Sequence, residues 1–143
     1  MEKLLNQYLA DLVLEYHKLQ NFHWYAKGRD FFVVHAKLEE LYDGINEAID
    51  QVAEAILMDG GRPLATLKDF LANARIKEAE AKDITSDEIF KEVFADFTYL
   101  LNASKEIKAA ADELANYNVS AMMDSYIGEY TKMLWMIRSL QIL

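Results

Sequence analysis

The stretch FVVHAKLEELYDGINEAIDQVAEAILMD, running from Phe32 to Asp59, decides the fold. Its apolar positions Val34, Leu38, Leu41, Ile45, Ile49, Val52 and Ile56 recur at three-and-four spacing, the repeat of one face of an α-helix. Gly60-Gly61-Arg62-Pro63 closes it, because glycine accepts the left-handed turn past a helix end and proline cannot continue the helix. Upstream, Leu4, Leu5, Tyr8, Leu9, Leu12, Val13, Tyr16 and Leu19 predict a first helix from the N-terminus to about Ala26, stopped by Gly28. Downstream, Thr85 and Glu88 have capping-box spacing, and Ile89, Phe90, Val93, Phe94, Phe97, Leu100, Leu101, Ile107 and Leu114 carry a third long helix. A polar break at Asn116-Tyr117-Asn118 precedes a fourth, with Met122, Met123, Tyr126, Ile127, Tyr130, Met133, Leu134, Ile137 and Leu140. Arg62 to Ile84 is less regular, with Leu67-Lys68-Asp69-Phe70-Leu71 suited to a short helix. The chain therefore reads as all-α: a four-helix bundle, one domain over residues 1–143, with a short helix in a long crossover.

Composition narrows the chemistry. With 52% hydrophobic residues in 143, the chain can bury a real core. Lys and Arg number 15 against 24 Asp and Glu, and the formal charge of -9 favours metal cations over a polyanion. Without cysteine, disulfides, thiolate zinc sites, iron–sulfur clusters and Cys nucleophiles are excluded, so any metal must rest on His, Asp and Glu. No apolar run reaches membrane-spanning length and Met1 to Leu5 lacks a signal peptide's plan, so a cytoplasmic location is expected.

At about 100° per residue, His35, Glu39, Asp50 and Glu54 fall near 0°, 40°, 60° and 100° around the second helix, a stripe beside its apolar face. Asp43 and Asn46 extend it. His35 and Asp50 are about 22 Å apart along a straight helix, too far to share one metal. They meet only if two copies of this helix cross antiparallel about a twofold axis, bringing His35 and Glu39 of one chain to Asp50 and Glu54 of the other. On the first helix His23 lies within the apolar arc and is a further candidate ligand. Imidazole and carboxylate together suit divalent iron, and open coordination positions would admit an oxidant. The plain alternative, a solvated charged face, is common at such spacing.

The run Asn21-Phe22-His23-Trp24-Tyr25-Ala26-Lys27-Gly28-Arg29-Asp30-Phe31-Phe32-Val33-Val34-His35 resembles the signature of the Dps family of ferritin-like proteins. It continues through Ala36 to Asp43, Asp50-Gln51-Val52-Ala53-Glu54 and Gly60 to Thr66, and Leu134-Trp135-Met136-Ile137-Arg138 resembles the family's final helix. The resemblance implies a ferritin-like subunit, a hollow homododecamer, and ferroxidase sites at twofold interfaces that bind iron as Fe2+ and Fe3+. It gives His23, His35, Glu39, Asp50 and Glu54 as catalytic and metal-binding residues and Trp24 as an aromatic beside the site. The activity implied is oxidation of ferrous iron, preferably by hydrogen peroxide, with storage of ferric mineral and protection against oxidative stress. Two positions depart from the family. Many relatives carry Asp at the place of Glu39, and the longer side chain shifts the second metal position or holds it through water. The acidic residue that usually lines the threefold pore is absent from Asn118 to Met122, leaving Asp124 as the nearest substitute.

Other readings are weaker. A nucleoid DNA-compacting role with secondary iron binding is disfavoured by the negative charge and by a first helix that begins almost at Met1, with only Lys3 basic before His17. A diiron site inside one bundle would use Glu-x-x-His motifs, which the sequence lacks. A purely structural bundle would make the acidic stripe an oligomer seam. His17, off the apolar arc, is read as surface, and Trp135 and the Met and Tyr stripe of the last helix as packing.

Overall fold

In the computed structural model, which describes residues 1–143, the elements are α1 (Glu2–Tyr25), β1 (Ala26–Lys27), α2 (Phe31–Met58), α3 (Leu67–Asn73), β2 (Ile84–Thr85), α4 (Ser86–Glu113) and α5 (Tyr117–Arg138). The breakers act as the sequence predicts. Gly60, at φ +82°, ends α2 by donating to the Leu57 carbonyl while Gly61 donates to Ile56, both at 2.9 Å. Thr85 caps α4: its Oγ1 accepts from the Glu88 N–H at 3.4 Å, and Glu88 Oε2 accepts from the Thr85 N–H at 3.1 Å. Those bonds from Thr85, backbone first, hold the Glu88 carboxyl below the usual carboxylate range.

Two details differ from the sequence reading. The break expected at Asn116-Tyr117-Asn118 falls about two residues earlier, over Leu114 to Asn116: Asn116 is the cap of α5, its Oδ1 accepting from the Val119 N–H at 3.2 Å, and Tyr117 already opens the helix. The turn before it places Ala115 at φ +55°, a left-handed conformation usually given to glycine. The second difference is a two-residue parallel bridge, Ala26 opposite Ile84 and Lys27 opposite Thr85, joining the end of α1 to the start of α4.

The helices pair as two hairpins, α1 with α2 and α4 with α5. Leu5, Leu12 and Leu19 of α1, Leu38 and Val52 of α2, Ile89, Leu100 and Ile107 of α4, and Met123 and Ile137 of α5 form one buried cluster between them. The bridge sets the end of α1 beside the start of α4, so α4 runs antiparallel to α1 and parallel to α2. That arrangement requires the long crossover, which Asp11 pins. Fully buried in α1, Asp11 Oδ1 accepts from the N–H groups of Arg75 and Ile76 at 2.6 and 2.9 Å, and its Oδ2 accepts from the Tyr99 hydroxyl of α4 at 2.6 Å. Burial, then the bond to Asp11, pushes the Tyr99 hydroxyl well above its ordinary range. No helix is long and apolar enough to cross a membrane.

Candidate metal centre

The short turn from α1 to α2 brings the last turn of one helix against the first turns of the other, and two histidines meet there. His23 Nδ1 donates to the His35 carbonyl at 2.7 Å, and His35 Nδ1 donates to the His23 carbonyl at 2.8 Å. The His23 carbonyl is one of the four that a helix end leaves without an internal partner, so the side chain of α2 completes α1. The rings lie face to face, centroids 3.5 Å apart and planes within 12°. With both Nδ1 atoms committed as donors, each Nε2 keeps its lone pair for a metal, the tautomer being inferred from these bonds.

Aromatic rings hold the pair from both sides. Phe31 stacks on His35 with centroids 4.9 Å apart, and Tyr42 meets His23 edge-on at 5.3 Å. The Tyr42 hydroxyl donates to Glu39 Oε1 at 3.3 Å, and Tyr16 packs edge-on against the Tyr42 ring. Partial burial, then the negative charge of Glu39, raises the pKa of the Tyr42 hydroxyl. His23 is buried and His35 half-buried, whereas Glu39, Asp50 and Glu54 are exposed. The structure therefore brings together His23 and His35, with Glu39 one turn further along α2 and bonded to Tyr42. It leaves Asp50 and Glu54 at a distance, and no three His, Asp or Glu side chains converge to hold a metal within one chain.

Trp24 follows His23 in sequence, but its side chain is 61% exposed and faces outward. Asp124 is exposed and ion-paired with Lys108 at 3.0 Å, and Lys108 also reaches Asp112 at 3.8 Å. That cation offsets the negative charge an entry pore would need. His17 is exposed. Sequence reasoning missed Tyr42 and Phe31, although the signal was present: Tyr42 follows His35 by two helical turns and Phe31 precedes it by one, so both share its side of α2.

Residues 2–141 match the family model described as a ferritin-like domain. The DNA protection during starvation protein of Brevibacillus brevis is 38% identical over 136 residues, covering 95% of this chain and 91% of that one. The chain belongs to the Dps family. Among solved structures, Helicobacter cinaedi CAIP superposes with a TM-score of 0.96 at 38% identity, covering 99% of both chains. The Vibrio cholerae Dps protein, described as a member of a broad superfamily of ferritin-like diiron-carboxylate proteins, gives 0.94 at 32%, covering 98% of this chain and 87% of that one. This Dps-family chain is thus a mini-ferritin subunit by fold and by sequence, and the bundle with its short crossover helix is that of the family.

Proposed function

We propose that this mini-ferritin captures ferrous iron at sites shared by two copies of the chain, oxidises it with hydrogen peroxide, and stores the ferric product inside a hollow dodecamer in the cytoplasm. The observation that carries the reading is the reciprocal His23–His35 latch. It leaves two imidazole Nε2 atoms free to bind a metal and supplies too few ligands within one chain to hold it.

The missing ligands are on α2 itself. His35 and Glu54, Glu39 and Asp50, and the exposed apolar residues Phe32 and Leu57 are three pairs, each centred on the same point between Gly44 and Ile45. A twofold axis through that point, with two α2 helices crossing antiparallel, sets every member against its mate and seals both ends of the stripe with apolar contacts. Each site then takes His23, His35 and Glu39 from one chain and Asp50 and Glu54 from the other. Histidine and carboxylate bind the ferrous ion, and the oxygen-rich side favours the ferric product. Two ferrous ions and two protons reduce one peroxide to two waters, leaving two ferric ions. Passing both electrons at one site avoids release of a hydroxyl radical. Trp24 stands beside His23 as a candidate to absorb stray oxidising equivalents. Asp124, already paired with Lys108, is a poor candidate for the entry pore.

The test mixes two double variants, His35→Ala with Glu39→Ala and Asp50→Ala with Glu54→Ala. In a mixed dimer both defects fall on one site and the other is whole, so iron binding and oxidation should return to up to half the sites, while each variant alone has none. Mixed dimers confirmed by mass spectrometry but still inactive would overturn the shared site.

A further inference from the structure

The middle of α1 carries a second ionisable group with no role in that centre. Glu15 is fully buried, and neither of its carboxyl oxygens meets a hydrogen-bond donor. An ionised carboxylate in that position gives up its hydration and gains nothing in return. Facing it from α4, Asp96 has a buried Oδ2 that also lacks a hydrogen bond, the cation within ion-pair distance of it being Lys18 Nζ at 2.7 Å. Lys18 is already shared, since Glu92 of α4 lies 3.3 Å from the same nitrogen. A charged Glu15 would therefore leave the cluster with an uncompensated negative charge inside the protein. One proton eases the difficulty: a neutral Glu15 sheds its charge and donates to Asp96, a single bond that engages one Glu15 oxygen and Asp96 Oδ2.

We propose that Glu15 and Asp96 form a proton-binding site, one proton held between the two carboxyls, which latches the α1–α2 hairpin to the α4–α5 hairpin at neutral pH and loosens as pH rises. The inference is independent of the iron site. Burial pushes the Glu15 carboxyl well above the ordinary range, the charge and hydrogen bond of Asp96 and the charge of Glu92 add to this, and Lys18 opposes it. From α5, Tyr130 faces the same region, its hydroxyl held well above its ordinary range by burial first and in part by Glu15. From the crossover, Arg75 and Lys77 line a recess of about 280 Å³ with Lys18, Glu92 and Asp96. A carboxyl with a raised folded-state pKa contributes stability that is complete below its unfolded value and lost as pH climbs to the folded value. Within that window the unfolding equilibrium shifts about tenfold per pH unit.

Thermal unfolding of the assembled protein, wild type against Glu15→Gln, should be followed from about pH 5 to about pH 9. The amide keeps the shape and the donor but cannot ionise, so wild type should lose stability relative to the variant as pH rises, and parallel profiles would overturn the proposal. Infrared spectra of wild type supply a measure that survives a misfolded variant. A carboxylic-acid C=O stretch present at neutral pH and removed by alkali is expected, and its absence would overturn the proposal. Asp96→Asn withdraws the neighbouring charge and should move the disappearance of that band to lower pH; an unmoved midpoint would overturn the sharing.

Discussion

Adjacent helices of this Dps-family chain handle charge in opposite ways. On α1, Asp11, Glu15 and Lys18 are buried and their electrostatics are resolved within the chain, by backbone N–H groups, by Tyr99, and by Asp96 and Glu92. On α2, Glu39, Asp50 and Glu54 stand exposed along a stripe that the chain itself does not complete. The first set positions the crossover and joins the hairpins. Apart from the bond from Tyr42 to Glu39, the second has no structural employment in the single chain, which makes it available for chemistry. The lesson is to ask of each charged group whether its partners are already present.

If that contrast is right, the two sets respond differently to deletion. The largest effect on stability is expected at Asp11: Asp11→Ala strands two backbone N–H groups and a phenol, and should cost about 3–5 kcal/mol in denaturant unfolding. A loss below about 1 kcal/mol would mean that the crossover is held by something else. Asp50→Ala should reverse the pattern, leaving stability of the unmetallated protein within about 0.5 kcal/mol while iron affinity falls by more than the 10–100-fold usual for outer-shell losses. Titration with ferrous iron without oxygen measures this, and unchanged affinity would dissolve the distinction. The smallest effect belongs to neither set and calibrates both. Ala115, exposed at φ +55°, gains from replacement by glycine, so Ala115→Gly should raise stability by up to about 1 kcal/mol.

How much of this was legible beforehand follows the same division. The α2 stripe could be read from a helical wheel because an exposed row keeps its period, and the gap between His35 and Asp50 is a matter of helix rise alone. Helix ends were legible wherever a breaker or cap stood, at Gly28, Gly60 and Thr85. Asn116 misled, because the same polar residue suits a loop or a cap, and only its bond to Val119 decides. The buried row of α1 was not legible. Asp11 and Lys18 lie just outside the apolar arc and Glu15 just inside its edge, and charged residues along such a margin normally mark the solvent side; here α4 and the crossover cover them. The histidine latch was out of reach for another reason: each ring bonds a backbone carbonyl, and spacing carries no signal for that.

The bridge between Ala26–Lys27 and Ile84–Thr85 makes everything between its strands a closed excursion that leaves and rejoins the bundle at one corner. α2, with the whole exposed stripe, hangs in that lasso. In mechanical terms, any pull applied to α2 reaches the remaining helices at the bridge and along the helix flank. The bridge is the knot at which such a load is shared between α1 and α4.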